Sequence, residues 1–341
     1  MKKYLLYILL LVSILLVGCS KLKEKRGYVY AMSTSIDIAL YGENSDILEE
    51  ACNKIEDVYK SIDKLANPYL EYNGINNIYK INNSKKTINE EVIYEDIIIE
   101  NELFDLLFYA FSLKNETNGH FNPFMGRLNN IYKNIINKNS DKDSEIDIDS
   151  LINENVIKAE LNLINNTTLE FNKDNLTVKK IGDGLIDLGG IAKGYATLKA
   201  EEILDEYNIT HYVINAGVSS IALGKKPNGA NYKIGVKNIP NFYIEINSKA
   251  LATSSISEQI TVNNGKAYHH VIDPFTGMPT TLYDTVVVIG DNSCVLDALS
   301  TAFMSMQEDD IFSMAKDFGV EVLTFKDGKL LFSTSEEHIY V

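Results

Sequence analysis

Four short segments combine residue types that can bind a phosphorylated ligand and move a proton. The first is Asp187-Leu-Gly-Gly-Ile-Ala-Lys-Gly-Tyr195, which joins a strand-like run, Gly184 to Leu188, to a helix-like run ending near Tyr207. Glycines at a helix entry let backbone N–H groups approach a phosphate, and the helix dipole favours its charge. Lys193 can neutralise more of that charge. Asp187 would repel a phosphate unless a cation lay between them, so accepting from a hydroxyl or a ring N–H suits it better. A tight turn with no ligand explains the segment about as well, and it matches neither the Walker pattern nor a full GxGxxG.

The second segment is Tyr268-His-His-Val-Ile-Asp-Pro-Phe-Thr-Gly277. A histidine side chain such as His270 can accept a proton, with Asp273 close by in sequence to orient it. A plain backbone hydrogen bond is the equal alternative. The third is Asp297-Ala-Leu-Ser-Thr301. Positions i and i+4 share one helix face, so Asp297 and Thr301 offer a carboxylate and a hydroxyl side by side. Oxygen ligands suit Mg²⁺, or Ca²⁺ in a larger cage. Without a metal, Asp297 reads as a cap or a buried hydrogen-bonding group. The fourth is Asn118-Gly-His-Phe-Asn-Pro-Phe-Met-Gly126, where Phe121 or Phe124 could stack on a flat ring or simply join the core.

Regular elements must hold these segments. Residues 28–41 read as a strand. A helix from Asp46 to about Leu65, capped by Ser45, places Leu48, Ala51, Ile55, Val58, Ile62 and Leu65 on one face. A second helix spans about Glu102 to Thr117 and stops at Asn118-Gly119. The acidic stretch from Asn137 to Asp149 reads as a solvated loop. Strand-like runs follow at Tyr212–Leu223, Tyr232–Val236, Phe242–Ile246 and Thr285–Ile289. A helix from about Ser293 to Met306, another near Asp310–Phe318, and a hairpin through Asp327-Gly328 complete the chain. No repeat or linker divides it.

The N-terminus carries an address. Lys2 and Lys3 precede an apolar run, Leu5 to Val17, that is shorter than the roughly 20 residues needed to cross a membrane. Leu-Val-Gly-Cys19 resembles a bacterial lipobox, which implies a signal over residues 1–18 and a lipid on Cys19. Residues 19–27 read as a polar tether whose lysines would sit beside anionic headgroups, and 28–341 as one domain. This places the chain on the outer face of the bacterial cytoplasmic membrane. The 341 residues are 45% hydrophobic and 23% charged, enough for a real core. A net charge of −15 argues against nucleic-acid binding and leaves an anionic substrate dependent on a local cation. Cys52 and Cys294 read as small core residues.

Taken in order, these motifs resemble the FAD:protein FMN transferases, the ApbE-type flavin transferases. Met32-Ser-Thr34 is similar to the family's Met-Gly-Thr. Gly119 to Gly126 stands for Gly-Ala-Phe-Asp-Pro-Thr-Val-Gly. Asp187 to Tyr195 matches letter for letter. Ile214-Asn-Ala-Gly217, Ala250-Leu-Ala-Thr-Ser254, His270 to Gly277 and Asp297 to Thr301 follow in family order. Asn122, Val218, Asn76, Ser255 and Ile256 depart from the family pattern, and none of them touches the metal pair.

The resemblance implies an α/β (α+β) T-fold-like domain with mixed sheets and packed helices. It implies FAD as substrate, and Mg²⁺ held by Asp297, Thr301 and a backbone oxygen near Gly190. Flavin or adenine contacts would come from Met32, His120, Phe121, Asn122, Asp187, Lys193 and the backbone near Ile272. A family tyrosine matches Tyr72 best, with Tyr69 competing. The implied reaction moves FMN to a Thr or Ser hydroxyl of an extracytoplasmic acceptor protein and releases AMP. His270 is the candidate base and Asp273 its partner. FAD hydrolysis and simple FAD capture are the alternatives.

Overall fold

A computed structural model describes residues 22–88, 90–139, 148–263, 266–335 and 339–340. The lipobox and Cys19 lie outside the described residues. The run expected as one strand folds back on itself into β1 (Lys23–Ala31) and β2 (Thr34–Gly42), paired antiparallel. Met32 and Ser33 make the reversal with φ of 51° and 61°, the left-handed sense that matches strand twist in a two-residue hairpin loop. Strand alternation buries Val29, Ala31, Ile36, Ile38 and Leu40. Residues Lys23 to Gly27, expected in the tether, therefore belong to the sheet. Apolar partners every second residue outweigh the polar composition of that stretch.

The run Tyr212–Leu223 splits in the same way, into β3 (His211–Ala216) and β4 (Ser220–Leu223). With β5 (Ala250–Ser255), β6 (Thr285–Gly290), β7 (Glu321–Lys326) and β8 (Lys329–Ser333) they form one eight-stranded sheet in the order β1 to β8. Each neighbouring pair is antiparallel. The α+β class holds, and its ladders are antiparallel.

Helices cover one face. The long helix α1 (Ser45–Leu65) buries Leu48, Ala51, Ile55, Ile62 and Leu65 of the stripe its spacing predicts, while Val58 is half-buried and Tyr59 beside it is fully buried. Its cap is Asn44 rather than Ser45: Asn44 Oδ1 accepts from the Asp46 N–H at 2.9 Å. Further helices are α2 (Asn101–Glu116), α3 (Gly126–Asn139), α4 (Ala192–Glu206), α5 (Ser293–Phe303) and α6 (Glu308–Phe318). The α3 helix was not expected, and its C-terminal end takes in the first residues of the acidic stretch read as loop. On the opposite sheet face, strands Tyr232–Gly235 and Tyr243–Ile246 close over Leu223, Leu251, Val287, Ile289, Leu323 and Phe325. Covered from both sides, β6 is buried at all six residues, which is why it reads as a continuous apolar run. Gly184–Leu188 is not a strand. Its backbone bonds go to irregular partners: Leu185 O accepts from the Gly126 N–H at 3.0 Å, and the Ile186 N–H donates to Asn82 Oδ1 at 2.8 Å.

Two positions in this frame are held at a cost. Val218, in the β3–β4 turn, has φ of 71°, a region that a β-branched residue occupies only under strain. Val218→Gly should stabilise the protein by about 1 kcal/mol, read as a higher urea midpoint. Glu201, on α4, is enclosed between the hydroxyls of Ser293 and Tyr212, which donate to its carboxylate. Burial pushes it from 4.5 to about 7. The folded state then keeps a proton that the unfolded chain has released, so stability falls as pH rises from 4.5 to 7 and is flat above. Glu201→Gln should gain about 1–2 kcal/mol at pH 8 and change little at pH 4.5, measured by urea denaturation at both pH values.

Candidate active site

The site is built where α4 and α5 cross. The first N–H groups of a helix have no partner within it, and Ile191 at the α4 N-cap supplies no side-chain acceptor. Asp297 supplies one from the neighbouring helix: its Oδ2 accepts from the Gly194 N–H at 2.8 Å. The approach needs glycine, because a Cβ at Gly194 would lie 2.5 Å from Asp297 Cβ. Asp297 is only 4% exposed, so its carboxylate serves as the buried cap that the sequence allowed. The i+4 spacing sets Thr301 one turn further on, with its Oγ1 3.3 Å from Ser254 Oγ. Gly190 faces it: a Cβ there would lie 2.9 Å from Thr301 Oγ1 and 3.4 Å from the Phe121 ring.

Asp297, Thr301 and the Gly190 backbone converge and offer only hard oxygen donors, the set that suits Mg²⁺. Among the described residues no group of three or more His, Cys, Asp or Glu side chains could hold a metal ion. A cation here would therefore need backbone and ligand oxygens as well. The residues present fit it on those terms.

Asp187 stands at the head of the turn. Its Oδ1 accepts from the Gly189 N–H at 2.8 Å and its Oδ2 from the Asn129 amide at 3.1 Å, so the carboxylate is held in one orientation. Its own N–H donates to Pro123 O at 2.8 Å, tying this turn to the fourth segment. In that segment Asn122 Oδ1 accepts from the Phe124 N–H at 3.0 Å. His120 places Nδ1 2.9 Å from Ser305 Oγ and packs edge-on against Phe275. Burial holds this imidazole below its usual range, so it is neutral at pH 7.

These groups line one cavity of about 390 Å³, within the range of small-molecule sites. Met32, His120, Phe121, Asn122, Asp187, Gly190, Lys193, His270, Ile272, Asp297 and Thr301 all reach its wall. Met32 arrives from the β1–β2 turn and Lys193 from the first turn of α4. Phe124 does not reach it; it is fully buried and packs against Phe111.

Two expected residues are placed elsewhere. Tyr72 does not line the cavity; it bridges to Ile75, and Tyr69 takes the wall position instead. Asp273 is committed to its own turn. Its Oδ1 accepts from the Phe275 N–H, its carbonyl from the Gly277 N–H, and its N–H donates to Met278 O, each at 2.8 Å. A carboxylate engaged in closing a Pro-Phe-Thr-Gly turn is not set to orient an imidazole. His270 Nδ1 lies 3.5 Å from Gln259 O.

The sequence reading also missed wall residues. Met125, Asn129 and Lys133, spaced four residues apart, form one stripe on α3 and its entry, and all three line the cavity with Asp63, Ser219 and Ser254. The stripe was the available signal, hidden because α3 was not recognised as a helix.

Comparison with known proteins bears on the whole chain. The ApbE family model matches residues 32–324. The FAD:protein FMN transferase of Chlamydia muridarum is 27% identical over 76% of this chain and 78% of its own. That of Chlamydia trachomatis is 25% identical over 89% and 92%. The crystal structure of the ApbE protein from Thermotoga maritima superposes with a TM-score of 0.72 at 26% identity, covering 89% of this chain and 94% of that one. The flavin transferase ApbE from Vibrio cholerae shares the fold, with a TM-score of 0.71 at 20% identity over 92% and 98%. With the family model spanning the fold from the β1–β2 turn into β7, and with every segment of the cavity wall inside that span, the chain belongs to the ApbE family.

Proposed function

We propose that this chain is a flavin transferase that moves the FMN half of FAD onto a Thr or Ser hydroxyl of an acceptor protein, in a Mg²⁺-dependent reaction. The observation that carries the reading is the convergence on one cavity of the Asp297–Thr301 oxygens, the Gly190 cradle, Lys193 and His270. Relatives named FAD:protein FMN transferase support the flavin and the protein acceptor.

In this reading the acceptor oxygen attacks the phosphorus on the riboflavin side of the diphosphate. The new O–P bond forms as the bond to the bridging oxygen breaks, and AMP leaves with that oxygen. Such transfer depends on alignment and charge neutralisation more than on covalent chemistry by the protein. Mg²⁺ held by Asp297, Thr301 and a backbone oxygen near Gly190 would neutralise charge on the diphosphate. Lys193, in the first turn of α4 at the positive end of its dipole, faces the same charge. His270 takes the proton from the acceptor hydroxyl. Asp187, fixed by Gly189 and Asn129, accepts from a ring N–H or hydroxyl of the nucleotide.

The acceptor belongs to the outer face of the cytoplasmic membrane in this proposal, where a lipid on Cys19 would hold the enzyme. A flavin-carrying electron-transfer subunit or lipoprotein is the fitting class. Mass spectrometry of surface proteins from cells with and without this gene tests the proposal directly: an FMN adduct on Thr or Ser should appear only with the gene. AMP release from FAD and Mg²⁺ without any acceptor, at the rate seen with one, would instead establish a hydrolase.

Asp297→Asn keeps an acceptor for the Gly194 N–H while removing the charge. It should fold normally and lose about 100-fold or more of FMN transfer at low Mg²⁺, measured by adduct formation. His270→Asn should slow transfer by roughly 100-fold while FAD affinity stays within about threefold, measured by fluorescence titration.

A further inference from the structure

Lys133 lines the cavity from α3, four residues beyond Asn129. Its ammonium lies over the Tyr69 ring, 4.5 Å from the centroid. Tyr69 also lines the cavity, and is 47% exposed. The loop carrying it is pinned. Asn67 Oδ1 accepts from both the Tyr69 and Leu70 N–H groups at 2.9 Å. The fully buried Asn77 donates to Leu70 O at 2.8 Å and Lys64 O at 3.1 Å. The backbone is thus fixed by two asparagines, and the Lys133 ammonium lies over one face of the tyrosine ring.

We propose that Lys133 is a positioning residue: it backs the Tyr69 ring and holds it as a flat platform on which a planar ring of the dinucleotide stacks. This rests on the flavin-transfer reading above. A cation over one face of an aromatic ring is attracted by the ring quadrupole, and it leaves the opposite face for a ligand. A half-exposed ring that is already oriented loses little freedom when the ligand arrives, so the gain appears as affinity. Lys133 and Lys193 are also the two lysines that line the cavity, against Asp63, Asp187 and Asp297. Among the described residues, Lys133 is the cation that lies over the Tyr69 ring.

The test is a double-mutant cycle read by fluorescence titration of the whole chain with FAD, in Mg²⁺ and without acceptor. Lys133→Met keeps the aliphatic stem and removes the charge. It should weaken FAD binding about fivefold, and Lys133→Arg, which also stacks on aromatic rings, should restore it to within twofold. In a Tyr69→Ala background, Lys133→Met should have no further effect. An equal loss in that background would mean that Lys133 reaches the nucleotide directly, which overturns the assignment. Unchanged affinity in Lys133→Met overturns it too. Thermal midpoints should not move, since neither side chain is part of the core. Wild-type protein that binds no FAD would overturn the transferase reading itself, and this assignment with it.

Discussion

The site depends on one buried carboxylate at a helix crossing. Asp297 sits in the interior, where an unpartnered charge would be costly. It is kept there by the Gly194 N–H, at the positive end of the α4 dipole. The same contact sets how closely α4 and α5 approach, and only a residue without a side chain at 194 permits it. Once that distance is set, Thr301 follows by helical spacing and Gly190 by the turn that starts α4. Cap, close approach and cation cradle thus share one side chain at one helix crossing.

The sheet supplies what the crossing cannot. Two reversals with left-handed residues, Met32–Ser33 and Gly217–Val218, lie side by side, because β2 pairs with β3. They bring Met32 and Ser219 to the cavity from the sheet end, while α4 and α5 pack on its helix-covered face. Val218 keeps a strained conformation where the family pattern has glycine. Strain of this kind persists only when the surrounding structure over-determines it. The β-pairing on both sides of the turn does so here.

Much of the wall was legible in the sequence because the chemistry is local there. The Asp187–Tyr195 turn, the Asp297–Thr301 pair and the Gly119–Gly126 segment each carry their own geometry: a glycine entry, an i+4 spacing, an Asn-Gly stop. The two misplacements share a physical cause. Tyr72 and Tyr69 lie three residues apart in a segment with no regular period, so nothing local says which one turns inward. The Asn67 and Asn77 hydrogen bonds decide it. Asp273 lies close to His270 in sequence, but a turn needs acceptors for its own N–H groups, and that demand claimed the carboxylate.

By itself, the sequence determined the kind of chemistry and the local shape of its parts. It placed the oxygen pair on one helix face, the glycine entry to α4, and the amphipathic stripe of α1. Those features arise from helical period and backbone freedom, which neighbouring residues dictate. Only the tertiary structure decided which side chains meet. Asp297 with Gly194, Gly190 with Thr301, Asn129 with Asp187 and Lys133 with Tyr69 are separated by 58 to 111 residues in the chain, and Lys133 lies on a helix that the periodicity did not reveal. Contacts over such distances are set by packing the whole core on both faces of one sheet, and no window of sequence contains that information.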